Sequence, residues 1–207
     1  MPPRRSKLLW LPRSGVLPTP IESDDVPIAV LHGTLSSPGN FQRAAEALQA
    51  RGRRVVGLEY GDRGTADLGR CAREVSDFLA EFERVDVLAH SLGGFLALKA
   101  AHGDAQNSIR HLVGLGAAWR GVPRTRYKRI LEWVAGPALG QIMGNFPAVL
   151  PPQARVVSIV SDADTVVPRT SSELGEVIRV HGVHHAHIPK QIPAIFSALQ
   201  LTEADTP

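Results

Sequence analysis

Short apolar runs alternate with helix-patterned segments along most of this chain, from residue 26 onward. Six of these runs are rich in β-branched residues and continuously apolar, which predicts strands that are buried on both faces. The predicted strands are 26–32, 53–60, 85–91, 109–116, 154–161 and 177–183. Apolar residues recur three and four positions apart in the predicted helices 41–52, 72–84, 94–103 and 189–200. Because helices that connect successive strands produce parallel sheets, the pattern predicts a doubly wound α/β fold with a mainly parallel six-stranded sheet flanked by helices.

Two segments lie outside this alternation. Residues 118–152 hold an amphipathic stretch from Ile130 to Met143 between proline-bearing flanks, and they are too long for a plain connection in a compact domain. We therefore expect a small cap inserted into a single domain that spans 26–207. Residues 1–25 are expected to form a flexible basic leader, whose short apolar run is too brief for a secretory signal or a membrane span.

Composition excludes several classes of function. The 207 residues carry 23 Lys and Arg against 20 Asp and Glu, and much of the basic excess lies in the leader and in 120–129. No basic stripe with interleaved aromatic residues and no finger or helix-turn-helix spacing occurs, so we expect no nucleic-acid partner. A single cysteine, Cys71, cannot close an intramolecular disulfide, which favours a reducing, cytoplasmic location. We expect no stable membrane insertion, and at most weak peripheral contact through the leader.

The third predicted strand stops at Ser91, and a predicted helix begins directly afterwards through two glycines. Such a sharp strand-to-helix turn requires very small neighbours two positions on either side, and Ala89 and Gly93 meet this requirement. The turn places the serine at the carboxyl end of a central strand and directs the backbone N–H of Leu92 toward the same point. The pattern therefore predicts Ser91 as a nucleophile and Leu92 as an oxyanion donor.

A second oxyanion donor is expected from the end of the first strand. His32 and Gly33 form a turn there, and the backbone of that turn can approach the site so that the N–H of Thr34 points at the oxyanion. We interpret His32 as a histidine that braces this turn rather than as a catalytic group.

A serine hydroxyl needs a general base, and that base needs a carboxylate to orient it. When the serine lies on a strand-to-helix turn of this kind, the acid and the base both follow it in the sequence, the acid first. The loop after the fifth strand offers Asp162 and Asp164. The loop after the sixth strand offers four histidines, namely His181, His184, His185 and His187. Strand alternation does not select among them.

Two other chemistries compete for these residues. Four imidazoles within a short loop are potential metal ligands, but matching Cys, Asp or Glu residues at a compatible spacing are scarce, so we expect no metal. Cys71 is a possible thiol nucleophile, but it lies in a helix-patterned run without a nearby histidine. We therefore interpret it as a small apolar residue on a helix.

Four motifs of the chain belong together, namely LHGT at 31–34, AHSLGG at 89–94, SDADTVVP at 161–168 and IRVHGVHHAHI at 178–188. Their combination resembles the minimal bacterial lipases of the α/β-hydrolase superfamily, over about residues 26 to 201. In that family the acid precedes a β-branched pair, which implies Asp164. The base follows a Gly-Val-Gly turn, which implies His185, although His184 replaces the last glycine of that turn here.

The resemblance implies an α/β-hydrolase fold and a serine hydrolase that uses Ser91, His185 and Asp164, with an acyl-enzyme intermediate and no cofactor. The expected substrate is a small-molecule acyl ester or lipid, bound under the cap by Trp133, Ile142 and Met143. These cap residues could equally pack a structural helix. A thioesterase or acyltransferase would use the same triad, and a noncatalytic protein that binds a lipid or a partner through the cap is a further alternative.

Overall fold

A parallel sheet forms the centre of the molecule. The computed structural model describes residue 13 and residues 15–201, so residues 1–12 and 14 of the predicted leader lie outside the described residues. Within them the sheet has six strands in the order β2-β1-β3-β4-β5-β6, and every pairing is parallel. The strands are β1 Ile28–Leu31, β2 Val55–Leu58, β3 Val85–His90, β4 Ile109–Leu115, β5 Arg155–Ser161 and β6 Glu176–Val180.

Helices connect the strands and cover both faces of the sheet. They are α1 Gln42–Gln49, α2 Gly61–Gly64, α3 Leu68–Ala80, α4 Leu92–Ala101, α5 Lys128–Ala135, α6 Pro137–Gln141, α7 Arg169–Ser172 and α8 Ile192–Ala198. Two 3₁₀ helices, Pro38–Phe41 and His185–Lys190, lie at the carboxyl end of the sheet's strands. The predicted doubly wound α/β architecture is confirmed, and each predicted strand overlaps an observed one.

Alternate side chains of each strand enter two separate cores. On one face they pack against α3 and α4, and on the other face they pack against α1 and α8. The central strands β1 and β3 are buried along their whole length, whereas β6 at the edge is partly exposed. A strand buried on both faces is apolar at most positions, which is why these runs show little alternation in the sequence. The buried Asp86 in β3 is an exception, and Arg110 donates hydrogen bonds of 2.9 and 2.6 Å to its carboxylate.

Cys71 lies in α3 and is fully buried in the first of these cores. Burial raises the pKa of its thiol to about 12. The thiol therefore stays protonated, and the interpretation of Cys71 as a small apolar residue agrees with its position.

The segment predicted as a cap is built differently from a single amphipathic helix. Its first part belongs to the domain core, because Trp119 is buried and its indole Nε1 donates a hydrogen bond of 3.0 Å to Ser158 Oγ on β5. Two short helices follow, α5 and α6, separated at Gly136 with φ 89°. A side chain at Gly136 would collide with the backbone and side chain of Thr65.

No helix in the described part of the chain is long and apolar enough to cross a membrane.

Candidate active site

Ser91 occupies the turn between β3 and α4 with a strained backbone. Its φ of 53° and ψ of −117° lie in a region that residues with a side chain rarely adopt. The turn is tight because α4 begins directly against the end of β1. A Cβ at Gly93 would lie 2.6 Å from the carbonyl oxygen of Leu31. This close contact with the backbone therefore requires the very small residue expected two positions after the serine, Gly93.

Asp164 and His185 form a hydrogen-bonded pair beside this turn. The distance from His185 Nδ1 to Asp164 Oδ2 is 2.7 Å, and the backbone N–H groups of Val166 and Val167 donate to Asp164 Oδ1 at 2.8 and 3.0 Å. Burial alone would raise the pKa of Asp164, but these hydrogen bonds outweigh burial and hold its pKa below the ordinary value. An ionised Asp164 fixes a proton on Nδ1 of His185 and leaves Nε2 free to accept one.

The other candidates in these two loops form a separate, exposed pair. His181 Nδ1 lies 2.8 Å from Asp162 Oδ2, and the N–H of Gly182 donates to Asp162 Oδ1 at 2.8 Å. The side chain of His181 is 79% exposed, whereas that of His185 is 13% exposed. His184 and His187 are also exposed. No group of three or more potential metal ligands occurs among the residues that the structure describes.

One cavity joins Ser91 to His185. Its volume is about 380 Å³. Its lining residues are Gly33, Thr34, Leu35, Ser36, Asn40, His90, Ser91, Val122, Ala135, Leu139, Ile142, Val166, His185 and Ala186. Within residues 15–201 no hydrogen bond links the Ser91 hydroxyl to His185, and catalytic hydrogen bonds of this kind often tighten only when substrate binds. Ser91 and the Asp164–His185 pair thus meet at the carboxyl edge of the sheet. We refer to this space as the Ser91 cavity.

The two backbone N–H groups expected to bind an oxyanion lie near the serine. Leu92 is the first residue of α4, so its N–H has no partner within the helix. Thr34 lines the Ser91 cavity, and its N–H donates no hydrogen bond within the described residues. Both residues lie near Gly64, where a Cβ would be 3.4 Å from Thr34 Cα and 3.3 Å from Leu92 Cδ2. Within the described residues both N–H groups are therefore available to donate hydrogen bonds to an oxyanion.

A residue that the sequence did not single out holds the loop after Thr34 in place. Arg63 is buried, and its guanidinium donates hydrogen bonds to the carbonyl oxygens of Leu35 at 2.6 Å and Ser36 at 3.3 Å. The carbonyl of Arg63 in turn accepts the N–H of Leu35 at 2.8 Å. No motif in the sequence indicates this role, because it depends on a contact between loops that are far apart in the chain.

The three cap residues expected to bind substrate are dispersed. Ile142 lines the Ser91 cavity. Met143 is buried in the domain and does not line it, whereas Trp133 is 52% exposed and lines a separate surface groove. The break at Gly136 divides the predicted amphipathic face into two short helices, so residues on one predicted face now point in different directions. Ala135 and Leu139 line the cavity instead.

His90 is a second residue that the sequence analysis passed over. Its ring lies against that of His185 with centroids 4.6 Å apart, and its Nε2 lies 3.1 Å from the carbonyl oxygen of His185. Burial, together with the nearby His185, lowers the pKa of His90 to about 3. A neutral His90 therefore supports the 3₁₀ helix that carries His185. The signal for it was a titratable residue inside a buried strand that carries one other titratable residue, Asp86.

His32 is the other buried histidine of this region. Its ring stacks on that of Tyr60 with centroids 4.4 Å apart, and its Nδ1 lies 2.8 Å from the carbonyl oxygen of Gly33. Burial lowers its pKa to about 4. These contacts fit the predicted role of His32 as a brace for the turn before Thr34.

Buried neutral histidines make stability depend on pH. Because the folded pKa values of His32 and His90 lie below the unfolded value of about 6.5, the unfolded chain binds more protons between these values. The contribution of these two neutral histidines to the free energy of unfolding is therefore complete above about pH 6.5 and is lost as the pH falls. We expect a loss on the order of 2 kcal/mol for each histidine between about pH 7 and about pH 5. Urea unfolding at both pH values measures it.

A matched pair of variants assigns this effect. His90→Asn removes the contribution of His90, so its stability should change less between the two pH values than that of the wild type. His187→Gln, at an exposed position, should keep the wild-type pH dependence. Equal pH dependence in the His90→Asn variant and the wild type would contradict the assignment.

Comparison with known proteins agrees with this architecture. No protein-family model matches the chain, and no curated protein matches it. Among solved structures, the ydeN gene product from Bacillus subtilis has a TM-score of 0.65 at 16% identity, covering 85% of this chain and 100% of that one. The α/β-hydrolase enzyme MGS-MChE2 from a Mar Chica lagoon sediment metagenome has a TM-score of 0.64 at 19% identity, covering 86% and 90%. The carboxylesterase CesB from B. subtilis has a TM-score of 0.59 at 15% identity, covering 87% and 85%. The resemblance seen in the sequence motifs is thus matched by the architecture, and the chain has the α/β-hydrolase fold.

Proposed function

We propose that this protein is a serine hydrolase that cleaves carboxylic esters of the acyl or lipid type. The observation that carries the proposal is the shared cavity, which both Ser91, on its strained turn, and His185 line. Asp164 orients His185, since its Oδ2 lies 2.7 Å from His185 Nδ1. This is the combination of nucleophile, base and orienting carboxylate that acyl transfer requires. Similarity to structures whose names describe hydrolases and a carboxylesterase supports the same class.

The chemistry follows from the positions of these groups. Ser91 Oγ attacks the ester carbonyl carbon while His185 Nε2 takes the hydroxyl proton, and ionised Asp164 stabilises the resulting imidazolium. The N–H groups of Leu92 and Thr34 stabilise the negative oxygen of the tetrahedral intermediate. As the intermediate collapses, His185 returns the proton to the departing alcohol. Water then attacks the acyl-enzyme through the same histidine and releases the acid.

The walls of the Ser91 cavity favour an apolar acyl group. Five apolar side chains line it on the side of the cap and of the loop after β5, namely Val122, Ala135, Leu139, Ile142 and Val166. Apolar walls of this kind bind a hydrocarbon chain by removing its surface from water. We therefore infer that esters with several acyl carbons are better substrates than acetates.

Hydrolysis of a series of p-nitrophenyl esters tests the proposal. The purified protein should release p-nitrophenol, and kcat/KM should rise from the acetate to longer acyl chains. Parallel assays with the matching acyl-CoA thioesters and with an added alcohol acceptor distinguish ester hydrolysis from thioesterase and acyltransferase activity. Turnover of none of the esters would overturn the proposal, and turnover of acetate alone would contradict the acyl-binding part of it.

A further inference from the structure

Asn40 is a largely buried residue whose side-chain amide is available to a ligand. It lies in the first 3₁₀ helix, is 8% exposed, and its side chain makes no hydrogen bond within the described residues. Asn40 lines the Ser91 cavity. Its amide is not among the polar atoms that the protein buries without a partner, so it faces open space. A ligand in the cavity can therefore exchange hydrogen bonds with this amide.

Asn40 also lines a second, polar cavity. This cavity has a volume of about 610 Å³ and lies between the first 3₁₀ helix, α1 and the 3₁₀ helix that begins at His185. Its lining residues are Gly39, Asn40, Gln42, Arg43, Glu46, His187, Lys190 and Gln191. Asn40 is the one residue common to the linings of the two cavities, so it lies where they adjoin. We refer to this space as the Arg43 cavity.

The charges in the Arg43 cavity are unbalanced. Arg43 and Lys190 form no ion pair with any carboxylate in the part of the chain that the structure describes. The one acidic residue in the lining, Glu46, accepts a hydrogen bond of 2.9 Å from Gln42. Two cations against one carboxylate give the cavity a positive excess. Unpaired cations around a concave polar space attract an anion.

We propose that the Arg43 cavity is a second substrate compartment that takes an anionic group. The preferred substrate is then an ester with two unlike arms. Its apolar arm lies against the cap side of the Ser91 cavity, and its anionic arm passes Asn40 and reaches Arg43 and Lys190. This inference rests on the proposed ester hydrolysis and narrows it to a substrate class.

The expected size of the effect follows from the setting of the charges. Arg43 is exposed and Lys190 is half-buried, so each contact with an anion is partly screened by water. A single pair of this kind changes binding about threefold to fivefold. Because screening grows with salt, the preference for the anionic substrate should shrink between low salt and about 0.5 M salt.

Two isosteric esters test the inference. The hexanoyl ester of δ-hydroxyvaleric acid carries a carboxylate on an alcohol arm whose methylene chain is long enough to pass Asn40, and the hexanoyl ester of δ-hydroxyvaleramide carries a neutral amide of the same shape. Wild-type protein should show a kcat/KM several times higher for the hydroxyvalerate ester. Arg43→Gln and Lys190→Gln should each lower that preference by about threefold to fivefold while leaving the hydroxyvaleramide ester little changed. Arg54→Gln, an exposed arginine outside both cavities, is the matched control and should keep the wild-type preference.

Asn40→Asp tests the junction itself. A carboxylate between the two cavities repels an anionic arm, so this variant should favour the hydroxyvaleramide ester. Binding of both esters to the Ser91→Ala variant, measured by titration calorimetry, gives a second readout that does not depend on turnover. The hydroxyvalerate ester should bind more tightly there, and adding Arg43→Gln should reduce the difference.

The outcomes separate this inference from the proposed function. Equal kcat/KM for the two esters in the wild type, or a preference unchanged by both Arg43→Gln and Lys190→Gln, overturns the second compartment and leaves ester hydrolysis standing. Turnover of neither ester, together with equal binding of the two to Ser91→Ala, overturns both.

Discussion

Replacing Ser91 by alanine should abolish ester hydrolysis, with kcat falling by about 10⁶-fold. The substitution removes the nucleophilic oxygen, and water attacking directly lacks the intramolecular positioning that the serine has beside His185. Alanine faces the same backbone strain as serine at φ 53°, so the fold should be retained. Release of p-nitrophenol from a hexanoate ester measures the loss, and circular dichroism with thermal unfolding verifies the fold.

Ser36 provides a matched control for this experiment. It lines the same cavity, but the mechanism assigns no step to its hydroxyl. Ser36→Ala should therefore stay near the wild-type rate. If Ser91→Ala kept more than about 1% of wild-type kcat, or if Ser36→Ala lost activity in its place, Ser91 would not be the nucleophile.

Asp164→Asn should lower kcat by about 10⁴-fold. An amide presents an N–H as well as an oxygen and carries no charge, so it neither fixes the proton on His185 Nδ1 nor stabilises the imidazolium. The N–H groups of Val166 and Val167 still find an oxygen acceptor in asparagine, which should preserve the loop. Steady-state kinetics with the same hexanoate ester measures the effect.

The structure offers an unusually close control in Asp162. It forms the same type of pair with His181, at 2.8 Å, two residues earlier in the same loop. Because that pair is exposed and does not line the Ser91 cavity, Asp162→Asn should leave kcat near the wild-type value. A larger loss from Asp162→Asn than from Asp164→Asn would reassign the acid to Asp162.

The sheet could be predicted well because its strands are unambiguous in the sequence. A strand buried on both faces is apolar at most positions, which β1 shows at every residue and β3 at all but Asp86 and His90. The turn at Ser91 could be predicted for a related reason. Only very small residues fit next to it, and the contact between Gly93 and the carbonyl of Leu31 shows the constraint in physical terms.

The pairing of acids with histidines could not be predicted from the residues alone. Asp162 and Asp164 are two positions apart, as are two of the candidate histidines, His185 and His187. Which pair faces the serine depends on how the two loops curve at the edge of the sheet. The structure buries the Asp164–His185 pair next to Gly116, where a Cβ would come within 3.0 Å of Asp164 Oδ2 and 3.2 Å of His185 Nδ1. A glycine in a distant strand end thus provides space that no local pattern reveals.

The cap was less predictable because its form is imposed by other parts of the chain. Periodicity predicted one amphipathic face from Ile130 to Met143, but the contact of Gly136 with Thr65 breaks that face. Trp133 and Met143 consequently lie away from the cavity. Asn40 gave no sequence signal at all, since its position in the lining of two adjoining cavities follows only from the three-dimensional arrangement.

Labelling with a fluorophosphonate probe tests most directly whether the protein holds an activated serine. The reagent phosphonylates serines whose hydroxyl is deprotonated by a neighbouring base, and mass spectrometry of peptide fragments locates the adduct. The account predicts one adduct, on Ser91, absent from Ser91→Ala and strongly slowed in His185→Ala. A protein that stays unlabelled, or that carries the adduct on a different residue, would contradict it.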